Sequence, residues 1–319
     1  MKKILMALAA AAILAGCSKN EQENVDGFTP KQIKFTNLND KLTRAANDGN
    51  DPYRVYAAWS GGTGWFINDQ VSASDVPSGG PYYWPASGSV DFYAWAPADV
   101  AATGTYPTLS IAYEVPANAN KDFTIAAPQL GLTSGTVGLA FSHMLAKITV
   151  TAQLHDDLSD AGYQLSTIGL TASLDVQSTG GTIDPTATTP AWASPNSTSA
   201  TYAGAASYMI MPQSSVGCKV KITAGITITK NGTTIYSGDL QQYTIATGNI
   251  PADEFEKGKH YLLKMIIDAD SHGGGTDPIF NIIEFESSIA EDWTAVTPDP
   301  ELPQPINKGD VLVTQTGRG

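Results

Sequence analysis

Lys147-Ile148-Thr149-Val150-Thr151-Ala152-Gln153-Leu154 sets Ile148, Val150, Ala152 and Leu154 against Lys147, Thr149, Thr151 and Gln153. A period of two is the signature of a strand with one dry face and one wet face. The same alternation recurs upstream at Ile33 and Phe35, at Arg54–Trp59, at Val90–Ala96 and at Val137, Leu139 and Phe141. Downstream it returns at Ile168–Leu174, at Tyr208–Met211, along Val220–Ile228 read as one strand, at Tyr261–Ile267 and at Ile279–Phe285. Gly, Pro and Asn punctuate these runs, and Lys230-Asn231-Gly232-Thr233 carries the Asn-Gly pair that favours a type I′ hairpin. Spacing at 3.6 residues is nearly absent; a short helix within Leu154–Tyr163 is the exception. Asp184 to Ala206, rich in Thr, Ser, Pro and Ala around Trp192, reads as a long loop. The expectation is an all-β chain of two tandem β-sandwiches.

Composition agrees with a packed, exported protein. Of 319 residues, 42% are hydrophobic, enough for real cores, while only 15% are charged, below the usual quarter. The net charge of −13 disfavours nucleic acid and anionic membrane surfaces as partners, because both are bound through Lys and Arg. At the N-terminus Lys2 and Lys3 precede an apolar run, Ile4–Ile13, too short to span a bilayer but suited to a signal peptide. Leu14-Ala15-Gly16-Cys17 follows directly and resembles a bacterial lipobox, which makes Cys17 the expected lipidation site and first mature residue. Residues 1–16 are then signal peptide, and Ser18 to Asp26 reads as a polar tether. The membrane partner is reached through a lipid anchor rather than a span.

Catalytic chemistry is not expected. His143 follows Ser142, but strand neighbours point to opposite faces, so they cannot act as a nucleophile–base pair, and His143 shares its parity with core residues. Paired acids at Asp156-Asp157, Asp253-Glu254 and Glu284/Glu286 read as solvated surface. Asp268, Asp270 and Asp277 resemble a calcium loop, but His272 stands where a third oxygen ligand belongs. Four histidines and two cysteines, Cys17 and Cys218, in no ligand spacing give neither a zinc site nor a disulfide, and Cys218 reads as a buried inert thiol. No catalytic residue, metal or cofactor is expected. One competing reading comes from the aromatics Trp59, Trp65, Phe66, Tyr82, Tyr83 and Trp84: if exposed they would stack on sugar rings, making this a surface glycan-binding lipoprotein.

Several ordered runs resemble the fimbrillin (Mfa-like) family of surface lipoprotein pilins and pilus accessory proteins. They are Val90–Pro97, Asp122–Gln129, Leu139–Val150, Tyr208–Ser214, Phe255–Tyr261 and Ile289–Trp293, with Thr43-Arg44-Ala45 resembling the family's basic processing point. The resemblance implies two transthyretin-like β-sandwich domains, outer-membrane and cell-surface location, and polymerisation with other fimbrial subunits for adhesion. It also implies cleavage by an Arg-directed protease between Arg44 and Ala45, followed by loss of the first strand. The groove left by Ile33 and Phe35 would then accept a strand from another subunit. The expected division is 17–44 as tether and removable strand, 45–158 and 159–295 as the sandwiches, and 296–319 as a Pro-rich linker and tail. That tail holds the β-prone run Asp310–Gln315, whose Val311 and Val313 are the expected donor side chains. It extends past Trp293, where simpler members end, so stalk, tip and anchor roles all stay open.

Overall fold

The computed structural model describes residues 30–38, 52–115, 121–193, 195–270 and 279–292. Cys17, Arg44, Ala45, His272, Asp277, Trp293, Val311 and Val313 lie outside them. The chain is all-β. In the N-terminal half the strands are β1 (Lys34–Asn37), β2 (Tyr53–Trp59), β3 (Trp65–Val71), β4 (Val90–Ala96), β5 (Ile111–Glu114), β6 (Thr124–Ala126), β7 (Gln129–Leu132), β8 (Thr136–Leu139) and β9 (Phe141–His143). After β10 (Ala146–Leu154) come the one-turn helix α1 (Asp156–Asp160), β11 (Tyr163–Ser166), β12 (Thr171–Val176), β13 (Gly180–Ile183), β14 (Ala200–Ala205) and β15 (Ser207–Ile210). The remainder are β16 (Gln213–Ser214), β17 (Lys219–Ala224), β18 (Ile226–Lys230), β19 (Thr233–Gly238), β20 (Tyr243–Thr244), β21 (Glu254–Phe255), β22 (Lys259–Asp270) and β23 (Ile279–Asp292).

The N-terminal sheet runs β3-β2-β4-β6-β9, with β7 also on β4. Its inner face is covered by a two-stranded parallel pair, β1 and β8, over a core of Val55, Ile67, Phe92, Ala94, Val137 and Leu139. The C-terminal half stacks the sheets β15-β10-β22-β23, β14-β12-β17-β20 and β11-β18-β19 around a second, larger core, which also takes in Tyr56, Tyr93, Trp95 and Phe123 from the N-terminal half. The long strand with which the reading began, β10, pairs with β15 and β22. The chain therefore changes sheets around Met144-Leu145, between β9 and β10. The halves are also strapped together. β5, an excursion from the N-terminal half, pairs antiparallel with β13, and Tyr202 on β14 donates its hydroxyl to the carbonyl of Val115 at 3.2 Å.

Three expectations change. Val220–Ile228 is not one strand: Gly225, at φ +85°, turns the chain so that β17 and β18 enter different sheets. A Cβ at Gly225 would lie 2.4 Å from the backbone of Leu170, so glycine is required there by packing as well as by dihedral. Ile168 does not belong to a strand; it sits 90% exposed in the turn closed by Leu170 N–H to Thr167 O, where Gly169 takes φ +72°. The expected loop 184–206 contains β14. Its Ala- and Gly-rich sequence hides the strand, whose side-chain anchor is Tyr202, 1% exposed. The Asn231-Gly232 hairpin forms with both residues at positive φ, joining β18 to β19.

Candidate functional site

β1 is held differently from its neighbours. Along one edge it pairs in parallel with β8, Lys34 opposite Thr136, Phe35 opposite Val137, Thr36 opposite Gly138 and Asn37 opposite Leu139. The residues just ahead of it meet an irregular segment: Gln32 bridges Tyr83, Ile33 N–H donates to Tyr82 O at 2.8 Å and Trp84 N–H to Lys31 O at 2.9 Å. It thus lies between two banks, residues 82–84 and β8. The alternation seen in the sequence aims Ile33 and Phe35 inward, where they are 1% and 5% exposed, while Lys34 faces solvent. Phe35 meets Phe92 edge to face at 5.9 Å, and Trp84 meets the same ring at 5.7 Å. Beyond them Leu38 packs on Gly138, where a Cβ would sit 3.2 Å from the leucine Cδ1. The sequence-predicted groove residues Ile33 and Phe35 are therefore brought together in one apolar slot.

The banks are fixed to each other without β1. Trp84 Nε1–H donates to the carbonyl of Gly135, just before β8, at 3.2 Å. The Asp69 carboxylate on β3 anchors the loop leading to Tyr82: it accepts from Gly79 N–H at 2.5 Å, Tyr82 O–H at 3.3 Å and Ser78 Oγ–H. Burial together with this carboxylate pushes the Tyr82 phenol up to about 12. The sequence reading missed both Asp69 and the structural part of Trp84; the polar Asp within an otherwise alternating strand ahead of Ser78-Gly79-Gly80 was the available signal. Removing β1 would uncover Ile33- and Phe35-shaped apolar surface, about 1.5–3 kcal/mol for each side chain when buried.

Arg54, the next arginine after Arg44, is built into the sheet. β2 has partners on both sides, and the guanidinium donates to Ala98 O at 3.0 Å and Asn68 Oδ1 at 3.2 Å. A protease needs extended, accessible backbone, which this residue does not offer.

The other expected features fall as follows. His143 is buried and its Nδ1 pairs with the Asp122 carboxylate, whose Oδ1 also accepts Phe123 N–H at 2.8 Å. Burial raises the Asp122 carboxyl above the ordinary range, opposed by the His143 bond. Ser142 and His143 sit on successive positions of β9 with different burial. Cys218 is buried, its Sγ directed at Ser214 O, and burial pushes the thiol up to about 11. Asp156 and Asp157 lie in the first turn of α1, and Glu286 is exposed and paired with Lys264. Among the described residues no three His, Cys, Asp or Glu side chains group as metal ligands. The aromatics form no exposed platform there either. Trp65 is packed edge-on against Tyr56, Tyr93 and Tyr106, Phe66 contacts Tyr82, Trp84 is 2% exposed, and the exposed large hydrophobics are Val76, Leu130, Ile168 and Ile235.

Several solved structures are similar to this chain. A proposed cell adhesion protein from Bacteroides uniformis superposes with a TM-score of 0.54 at 20% identity, over 83% of this chain and 99% of that one. A fimbrial assembly protein from Parabacteroides distasonis gives 0.44 at 12% identity, over 82% and 99%. The fimbrial anchor protein Mfa2 from Porphyromonas gingivalis gives 0.38 at 10% identity, over 83% and 100%. No curated protein matches the chain. The family profile described as fimbrillin-like matches residues 41–293, which takes in every strand after β1, and on that match the chain belongs to the fimbrillin-like family.

Proposed function

We propose that this protein is a non-enzymatic fimbrial subunit or accessory protein, carried to the outer membrane as a lipoprotein on Cys17 and incorporated into adhesive fibres by donor-strand exchange. Family membership supports the fimbrial or adhesin-type role and the cell-surface location. The single observation that carries the assembly step is β1 itself: a short strand that fills an apolar slot whose two banks are tied to each other by the Trp84–Gly135 bond, with Asp69 anchoring the 78–82 loop to β3. Residues 39–51, which contain Arg44 and Ala45, connect it to β2. Cleavage after Arg44 would detach β1 from the rest of the chain and leave the slot for a β-strand of another subunit, by strand addition. The run containing Val311 and Val313 is the donor in this reading. β23 is a poor candidate, since Phe280 is wedged against Tyr163 and Tyr236 and Phe285 stacks on Tyr243 at 5.0 Å.

The test is an unheated denaturing gel of cell envelopes. The parent protein should run as a ladder and the Arg44→Ala variant as a monomer retaining its first strand. N-terminal sequencing should place the start of ladder material at Ala45; ladder material that starts at Cys17 would sink the processing step, and Cys17→Ala should release the protein from the membrane or stall it as precursor.

A further inference from the structure

The Asp69 carboxylate on β3 is 8% exposed, and among the described residues no Lys, Arg or His forms an ion pair with it. Its charge is met by hydrogen-bond donors instead. Oδ1 accepts Gln70 N–H at 2.8 Å and Ser78 Oγ–H, and Oδ2 accepts Gly79 N–H at 2.5 Å and Tyr82 O–H at 3.3 Å. Three of these four donors come from the irregular segment between β3 and β4. A buried carboxylate stripped of its donors is costly, so the segment is held down on β3. Resting on the assembly reading above, we propose that residues 79–83 are a flap hinged at Ser78 and Trp84, that Asp69 is its catch, and that this catch sets how long β1 stays in its slot once the chain is cut.

Both hinges are fixed independently of the catch. Ser78 N–H donates to Gln70 O at 2.9 Å beside the Val71–Pro77 bridge. Trp84 is 2% exposed, with its Nε1–H on Gly135 O. From Gly79 to Tyr83, hydrogen bonds among the described residues run to two places only, Asp69 and the residues ahead of β1. Tyr82 faces both: its hydroxyl reaches the catch, and its carbonyl accepts Ile33 N–H at 2.8 Å. Asp69 makes no hydrogen bond to β1, so it acts on β1 through the flap, as a positioning residue. Gly79 fits this contact: a Cβ there would lie 3.0 Å from Asp69 Oδ2 and 3.0 Å from the Tyr82 hydroxyl. Burial and the nearby carboxylate keep the Tyr82 phenol protonated as a donor, pushed up to about 12. Asparagine cannot stand in for the carboxylate, because it offers one oxygen and one NH2 group. Whichever way it turns, the backbone N–H of Gln70 or of Gly79 faces a second donor.

The test uses the purified chain, first intact and then cut by an arginine-specific protease, in three forms: the parent, Asp69→Asn, and Asp69→Cys combined with Gly79→Cys. A Cβ at Gly79 would sit 3.5 Å from Asp69 Cγ, close enough for oxidised glutathione to join the two introduced thiols as a disulfide and shut the flap. A thiol reductant opens it again. Amide exchange at Ile33 and Trp84 in the intact chain reports the flap, because these N–H groups bond across it. Separation of the β1 fragment from the cut chain reports release. In Asp69→Asn and in the reduced double variant both rates should rise roughly tenfold or more over the parent, the loss expected for hydrogen bonds to a buried charge. Oxidation should return both to the parent rate or below. Amides of β12, in the C-terminal half, should keep their parent rates throughout. Equal release from the oxidised and reduced double variant would overturn the proposal. Faster exchange at Ile33 and Trp84 without faster release would overturn the link to β1. Acceleration that extends to β12 would reduce Asp69 to general support of the fold. Flap kinetics as expected in a protein whose cells form no ladder would leave the catch standing and sink the assembly reading alone.

Discussion

Phe35 shows how much one side chain decides. It is 5% exposed against Phe92, in a strand with an irregular partner on one side. Phe35→Ala should destabilise the uncleaved chain by about 3–5 kcal/mol, the usual cost of emptying a buried aromatic site. Lys34→Ala, next to it but solvent-facing, should stay within about 0.5 kcal/mol; urea unfolding of both reads the difference. A second residue-scale test concerns Asp122. Its folded carboxyl is raised above the ordinary 3.8 by burial, so the folded state holds that proton more tightly than the unfolded chain does. Stability from this group is then fully present below pH 3.8 and declines as pH climbs through the raised folded value. Asp122→Asn keeps an acceptor for Phe123 N–H and should flatten this part of the stability–pH curve. Urea midpoints taken in steps upward from pH 3.8 measure it, and an unchanged slope in the variant would assign the titration to another group.

At the scale of elements, the alternation in the sequence located strands well and their ends less well. β10 and β22 fall where a period of two places them, with one face on a core, and β4 does so although both its faces are buried, Phe92 and Ala94 in one core and Tyr93 and Trp95 in the other. The break at Gly225 was illegible for a physical reason: Ile222, Ala224, Ile226 and Ile228 keep parity across it, and only the approach of Leu170 from a distant turn makes the kink. Gly225→Ala should cost about 2–4 kcal/mol, combining a left-handed dihedral with a backbone clash. Gly162 has nearly the same φ, +81°, but nothing within 4 Å of an added Cβ. Gly162→Ala should therefore cost only about 1–2 kcal/mol. Equal losses in denaturant unfolding would mean that the dihedral alone matters and the contact with Leu170 does not. β14 escaped notice because Ala and Gly carry little strand signal; its one buried ring, Tyr202, earns it a place through a hydroxyl bond to Val115 in the other half.

On the scale of the whole molecule, the strap between β5 and β13 and the core shared by both halves hold the two halves together. Truncation after Asp299 should give a folded monomer with an unchanged melting temperature that no longer forms ladders. Polymer that persists in the truncated protein, or a marked fall in its melting temperature, would exclude the tail as donor. The sequence by itself determined the all-β class, the inward face of β1 at Ile33 and Phe35, and the family resemblance, since all three depend on local alternation and short ordered runs. Only the tertiary structure decided that β1 lies in a slot with pre-tied banks. Trp84 reaches Gly135 and Asp69 reaches Gly79 across gaps in sequence that no periodicity spans. Which sheet a strand joins depends on the same kind of long-range pairing, and so β10, the strand most plainly written in the sequence, had its partners β15 and β22 settled only by the fold.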